Sequence, residues 1–556
     1  MPARAVGDSR GSLEPANGYD PAMVRTSLRC AAPALLVAAL VLVPHFDKAY
    51  TIDDPLFLKQ AEQLLSDPLH PTAFEVVWSE SFEPQRMSAI MPSGPAMAYL
   101  LVPCALAGAP EWLAHLTGLA VFALALLATA ALALRLGTSE SSARAAALLL
   151  AATPAALALA STAMPDVPAM AFGVLGIERL LAFRDGRGWS QALAASVALA
   201  FAALSRSHLL LLLPVGALLL VGGPLATQRL RELGWRPWLP LVAAPALFVA
   251  FAWLTRDPLA PNTALLESAQ RYMDSSQLVR NVTGFAAHWT LALPLALPWA
   301  ALRWRALVRQ PFLYVAALVW GVLLVQSEPR PDALLGVAAA VLSAGVLWDV
   351  IADALRRRDA VQLALGAWLL IALPIAVYTH LPSKYLVASA PAAAILVARA
   401  LESQSRTFAR ALLGATLVAG VVLGMLVIRA DAAFAELGRR AAAELIAPNV
   451  RAGRTVWFDG HWGFQWYAER AGARPLTSTP PHPKSGDLIL SGKRSMGQKL
   501  EYFPQRVLRG VLEDTAPGGR VMSKRLGAGF YSTRWGLLPW AFGDDLRDRF
   551  ELWQLD

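Results

Sequence analysis

Long apolar runs recur along this chain, most of them closed by a short connector that carries arginine, and no other feature of the sequence restricts the fold as strongly. In lipid, every backbone N–H and C=O must find its partner inside the protein, so runs of this kind resolve into membrane-crossing helices. The runs are Cys30–Pro44, Trp112–Leu134, Ala145–Ala163, Val167–Phe183, Ala192–Leu204, Leu209–Val221, Trp238–Leu254, Ala286–Leu302, Phe312–Val325, Ala333–Val350, Val361–Tyr378, Tyr385–Ala400 and Leu412–Ile428, thirteen expected spans in all. Composition agrees: 56% of the 556 residues are hydrophobic, 16% are charged and the mean hydropathy is +0.45, too apolar for a soluble protein of this size. The expected fold class is a polytopic α-helical membrane protein with a small C-terminal α/β domain.

Charge orients the spans. Residues 1–29 are polar and read as a loose cytoplasmic tail, and HFDKAY after the first apolar run lacks a small-x-small cleavage site, so that run is read as an uncleaved first span. Counting from inside, the even-numbered connections carry Arg135 and Arg144; Arg184 and Arg187; Arg229, Arg231 and Arg236; Arg303, Arg305 and Arg309; Arg356 to Arg358; and Arg406 and Arg410. Positive charge of this kind stays in the cytoplasm. The odd-numbered connections then lie outside, beginning with a large first loop over residues 45–111. Within it Ser93–Gly108 is apolar but interrupted by Pro95 and Pro103, which suits a re-entrant or interfacial helix better than a crossing. An odd number of spans puts the C-terminus outside. The divisions expected are thus a tail at 1–29, a transmembrane domain at 30–429 and an outer α/β domain at 430–556, where strand-like TVWF and DLILS follow the helical AFAELGRRAAAELI.

The net charge of +9 is spread through short loops with no basic tract, so no nucleic-acid partner is expected. Cys30 and Cys104 have no metal-ligand or CxxC spacing, so neither a metal site nor a disulfide framework is indicated.

Chemistry concentrates on the outer side. In YTIDDPLFLKQAEQLL (Tyr50–Leu65), Pro55 fits the first position of a helix and makes Asp54 its natural N-cap. Leu58, Ala61, Leu64 and Leu65 form one face and Lys59, Gln60, Glu62 and Gln63 the others, as in a helix lying on a membrane surface. The plain reading is that Asp53 and Asp54 cap and solubilise that helix. Asp166 stands between Pro165 and Pro168 in a tight outer turn, Arg206 and His208 between two short spans, and Lys384 and Tyr385 at the start of another. Singly, these fit a turn former and interfacial anchors. Together, outward carboxylates and outward cations are the parts needed to move a sugar from a lipid phosphate to a hydroxyl: a general base for the acceptor proton and positive charge for the leaving phosphate.

The arrangement resembles the GT-C superfamily of polyprenyl-phosphate-sugar-dependent glycosyltransferases, most nearly the bacterial relatives of protein O-mannosyltransferases and of the lipid A aminoarabinose transferase. The likeness rests on YTIDDPLFLKQA, where the superfamily has an acid pair followed by a helix bearing an aromatic, here Phe57; on the proline-broken SGPAMAYLLVP; on PDVPAMAF; on LSRSHLLLLLP; and on SKYLVASAPAAAIL. Arg206 stands where a Lys is usual, Lys384 where an Arg is usual, and Ser93-Gly94-Pro95 where a double proline is usual. The resemblance implies an inverting glycosyltransferase of the bacterial inner membrane, with its N-terminus cytoplasmic and its C-terminal domain periplasmic. Asp53 or Asp54 would be the base, with Asp53 the first acid of the pair. Asp166 would orient the acceptor or the base, and Arg206, His208, Lys384 and Tyr385 would form the donor-phosphate site. The implied partners are a polyprenyl-phosphate sugar, membrane lipids and a lipid, glycan or protein acceptor. No cofactor is assigned, and a divalent cation stays open. WFDGHWGFQWYAERAGARPL in the tail looks like outer domains of such proteins, with His461, Trp462 and Trp466 read as aromatic core. The rival is a transporter or flippase of lipid-linked glycans, less favoured because charge here sits at span ends instead of mid-membrane. A membrane-anchored binding protein, whose tail alone is active, leaves so many spans unexplained.

The arginine bias is testable directly. Reporters fused after Gly137 and Arg357 are expected to read cytoplasmic, and those after Pro165 and Arg451 periplasmic; a cytoplasmic reading at Arg451 overturns the orientation.

Overall fold

One helix outlasts the bilayer. It runs over Arg406–Ala441 and continues through a π-helical turn, Ala442–Ile446, to Arg451. At about 1.5 Å per residue its first 36 residues span roughly 54 Å, against about 30 Å of hydrocarbon. Ser405 caps its start, accepting from the Phe408 N–H. Along the crossing part Gly420 and Gly424 face the helix Pro154–Ala160 and the residues before it. A Cβ at Gly420 would lie 2.1 Å from the Ala152 carbonyl oxygen, and one at Gly424 would lie 2.6 Å from the Leu157 side chain. Small residues four apart let two backbones touch, which is how helices associate where water supplies no driving force.

The computed structural model describes residues 21–78, 83–91, 95–222, 233–261, 267, 270, 273–293, 295–325, 331–497 and 499–556. Most of the expected tail, Ser93-Gly94, Arg229 and Arg231 lie outside these residues. Among the described residues seven helices are long and apolar enough to cross a membrane, or nine if each of two bent pairs counts as one, and four more apolar helices are shorter. The first helix starts at Pro21, so Arg25 and Arg29 are helical and not part of a loose tail. The run Ala145–Ala163 is two helices, Glu140–Ala151 and Pro154–Ala160, bent by 62° where Pro154 removes a donor. The run Ala286–Leu302 breaks likewise, by 92°, across a sequence that includes Pro294. Val361–Tyr378 is helical only over Ala360–Leu369 before 3₁₀ turns take over, and Tyr385–Ala400 opens as the 3₁₀ segment Ser383–Ser389. Ala96–Leu106, in the proline-broken segment of the loop expected outside, is eleven residues long and too short to cross.

Two helices tell one end of the bundle from the other. Glu111–Arg135 begins where Glu111 accepts from the Tyr467 hydroxyl at 2.9 Å and ends where Arg135 pairs with Glu178 and Asp185. Asp166–Arg184 likewise carries Asp166 at its start and Arg184, paired with Asp185, at its close. The acids and cations singled out in the sequence therefore share the end that bears the C-terminal residues.

There the chain builds a five-stranded mixed sheet in the order Arg474–Pro475, Val456–Asp459, Leu488–Gly492, Arg549–Leu555, Arg506–Glu513; the first three strands are parallel and the last two join antiparallel. Period-two alternation sorts its faces. Phe458, Leu488, Leu490, Phe550 and Leu552 meet Phe464 of the helix Trp462–Arg470 and Leu437 and Ala441 of the long helix. Trp457, Ile489 and Leu555 pack with Leu476, Leu500 and Phe503 on the other face. Between the last two strands the chain returns to the membrane part: Phe530 accepts from the Ser383 N–H at 3.0 Å, and the Trp540 indole donates to the Leu291 carbonyl at 3.3 Å.

Gly420→Val should drive a branched side chain into the Ala152 carbonyl and destabilise the protein by about 1–3 kcal/mol. Gly414→Ala, at a position with open space, should cause no loss. Thermal unfolding of the detergent-solubilised protein compares the two.

Candidate active site

The acid pair ends a short loop fastened at Lys48, Tyr50 and Thr51. Lys48 is buried, forms an ion pair with Asp431 of the long helix at 2.6 Å and donates to the Ser161 carbonyl at 2.8 Å. The Tyr50 hydroxyl donates to the Ala109 carbonyl at 3.0 Å, and its N–H donates to the Tyr467 hydroxyl at 2.8 Å. Gly463 leaves room for this approach, since a Cβ there would lie 1.9 Å from the Tyr50 carbonyl oxygen. The Thr51 hydroxyl donates to Asp431 at 3.2 Å. Ile52 is held at φ +39°, a backbone that a β-branched residue avoids at a cost of about 1–3 kcal/mol.

These fastenings split the two aspartates. The helix begins at Asp54, so Asp53 takes the N-cap position expected of Asp54, and neither acts as a side-chain cap. Asp54 is fully buried and turns back from the helix: its two carboxylate oxygens accept from the Thr51 N–H and from the Ala163 N–H, both at 2.9 Å. Burial, reinforced by the nearby Asp431, pushes its carboxyl up to about 7, although Lys48 and the two N–H groups pull the other way. Local capping chemistry has lost to a tertiary partner 109 residues away. Asp53 instead accepts from the Lys384 ammonium at 2.7 Å with 23% of its side chain exposed. Burial raises its carboxyl, but the charge and hydrogen bond of Lys384, with Arg206 and His380 behind them, outweigh that and hold it below the usual carboxylate range.

The remaining expected residues converge on the same place. Arg206 makes a two-pronged contact with Asp166, both bonds 2.9 Å, and its guanidinium lies 4.9 Å from the centre of the Tyr385 ring. The Lys384 ammonium is 6.0 Å from the centre of that ring, and the centre of the His208 ring is 5.8 Å from it. Tyr385 thus has two cations near its ring, each paired with one acid. All seven residues singled out in the sequence are brought together. Those missed include Lys48 in HFDKAY and Asp431, which fasten the loop, and His380, whose charge acts on Asp53. A lysine five residues before the acid pair and an aspartate three residues past the last long apolar run are the signals that could have found Lys48 and Asp431. Among the described residues no group of three or more His, Cys, Asp or Glu side chains could hold a metal ion, and the carboxylates here are engaged by cations and backbone N–H groups.

A family profile described as dolichyl-phosphate-mannose-protein mannosyltransferase matches residues 103–255. No curated protein sequence matches the chain. Among solved structures, ArnT from Cupriavidus metallidurans bound to undecaprenyl phosphate superposes with a TM-score of 0.53 at 14% identity, covering 87% of this chain and 96% of that one. The same protein in the apo state gives 0.54 at 14% identity, covering 86% and 95%. The archaeal oligosaccharyltransferase AglB from Archaeoglobus fulgidus, in complex with an inhibitory peptide and a dolichol-phosphate, gives 0.48 at 14% identity, covering 85% and 70%.

Asp54→Asn puts an NH₂ where one of two backbone N–H donors needs an acceptor, so it should cost about 1–3 kcal/mol, not the near-zero change expected of an exposed cap. The native protein holds the Asp54 proton to about pH 7 while the unfolded chain releases it near its ordinary 3.8, so between those values the native state binds more protons and stability falls as pH rises. Asp54→Asn should flatten that slope, which unfolding measured across pH 4–7 will read.

Proposed function

We propose, from a match to a mannosyltransferase family profile over residues 103–255 and a fold shared with ArnT, that this chain is a GT-C glycosyltransferase that transfers a sugar from a polyprenyl phosphate to an acceptor hydroxyl on the periplasmic face of a bacterial inner membrane. The observation that carries this reading is the pairing of a partly exposed, ionised Asp53 with Lys384, beside a second pairing of Asp166 with Arg206. ArnT, whose fold this chain shares, was solved with undecaprenyl phosphate, which is the donor's lipid-phosphate portion in this reading.

Asp53 is the general base. It is the acid that solvent and substrate reach, and its low pKa keeps it unprotonated at neutral pH. It takes the acceptor proton as the acceptor oxygen attacks the anomeric carbon from the face opposite the phosphate. The new O–C bond forms, the C–O bond to phosphate breaks with its electron pair leaving on the phosphate, and the configuration inverts. Negative charge gathers on that phosphate, where Lys384 and Arg206 stabilise it, and their ties to Asp53 and Asp166 fix where they point before the donor arrives. Asp54 serves Asp53 by anchoring the turn that carries it. The reading retains thirteen crossings, the N-terminal tail in the cytoplasm and residues 430–556 outside.

Asp53→Asn keeps the shape but cannot accept a proton, so transfer of labelled sugar should fall about 10²- to 10⁴-fold at unchanged membrane levels. Lys384→Ala removes the charge that offsets burial, so the acid limb of the pH–rate profile should move to higher pH as the base's pKa rises. Arg206→Ala should weaken binding of undecaprenyl phosphate without moving that limb as far. Normal transfer by Asp53→Asn overturns the assignment of the base.

A further inference from the structure

The segment that carries Lys384 cannot hold itself. From Thr379 to Pro382 the backbone forms neither helix nor strand, and Pro382 has no N–H to give, so its polar groups need partners from elsewhere. They find them in two buried side chains. Asn281 donates from its amide to the Tyr378 carbonyl at 2.7 Å and the Ala376 carbonyl at 3.0 Å. Its Oδ1 accepts from the Leu381 N–H at 3.1 Å and from the Thr533 hydroxyl at 2.5 Å. The Thr533 oxygen in turn accepts from the same Leu381 N–H at 3.1 Å. Around them the C-terminal segment adds the Phe530 carbonyl under the Ser383 N–H at 3.0 Å and the Arg534 guanidinium on the Thr379 carbonyl at 3.0 Å. Two residues before Thr533, the buried Tyr531 lies in the field of Asp431, Asp54 and Asp53. One stretch of the C-terminal part therefore borders both the acid loop and the lysine loop.

We propose that Asn281 and Thr533 are positioning residues for Lys384: a latch through which the C-terminal segment holds the lysine on the donor phosphate. This rests on the reading of Lys384 as a phosphate-binding cation. Thr533 suits the task by shape as well as by its hydroxyl, because its methyl occupies the space left by Gly284, where a Cβ would come within 2.6 Å of it. Thr533→Val keeps that methyl and deletes the hydroxyl; Thr533→Ser does the reverse.

The test uses the full-length protein in nanodiscs. Undecaprenyl phosphate binding and donor KM are measured in the natural background. Maleimide labelling is measured in a His380→Cys background, where the two natural cysteines, Cys30 and Cys104, are buried and give little signal. Thr533→Val should speed labelling at position 380 and weaken undecaprenyl phosphate binding by about tenfold, with donor KM rising more than kcat falls, and Thr533→Ser should restore both. Unchanged labelling in Thr533→Val overturns the latch. Faster labelling with unaltered donor binding overturns its bearing on Lys384 and leaves a purely structural contact. Absence of undecaprenyl phosphate binding by the unsubstituted protein overturns the reading of the site, while the labelling still decides the latch.

Discussion

A charge at the margin of hydrocarbon persists only where its counter-charge is held beside it. Removing one member of such a buried pair typically costs about 3–5 kcal/mol, because the other is left without solvent. Lys48 and Asp431 are the innermost instance, 2.6 Å apart with side chains 0% and 2% exposed. Their pairing ties the loop before the acid pair to the long helix. Thr51 shares Asp431, Asp54 lies in the field of both members, and Ser161 completes the lysine's shell. Outward from this closed pair the pairings loosen in steps: Asp166 with Arg206 is partly open, and Asp53 with Lys384 is more open at the acid. The groups proposed to meet substrate are those whose pairing a substrate can reach.

Neighbouring carboxylates in one turn have been given opposite surroundings. Asp54 is sealed among backbone donors and held toward its neutral form; Asp53 faces a lysine and is held toward its charged form. Such divergence is what allows like residues to take unlike parts in acid–base chemistry. The strained Ile52 just before them is the backbone's contribution, since its φ of +39° helps turn the two side chains in different directions.

How much of this was legible depended on range. Charges at the ends of apolar runs are visible in a sequence, so Asp53, Asp166, Arg206 and Lys384 could be picked out, and hydropathy could assign them to one side. Strands around TVWF and DLILS were visible from local pattern, and the structure has strands there. What failed was whatever a distant partner decides. Asp54 looked like a cap because the next residue is proline, and nothing local announces the Ala163 N–H. Lys48 read as loop and Asp431 as the start of an outer domain, and Thr533 drew no notice, because each is explained only by a residue elsewhere in the chain. Spans around Pro154 and Pro294 were drawn straight because hydropathy averages over a bend.

The separation in sequence between partners also sets an order of events during synthesis. Asp53 and Lys384 are 331 residues apart, and Lys48 and Asp431 are separated by more still. At roughly 5–20 residues per second, the ribosome needs on the order of 20–60 s to deliver Lys384 after Asp53. For that interval Asp53 and Lys48 stand in the early loop with their charge partners not yet made. A nascent chain of this kind cannot complete its charge pairing hairpin by hairpin as it inserts. It must keep the early loop solvated and let it settle only when the last long helix and the returning C-terminal strands arrive.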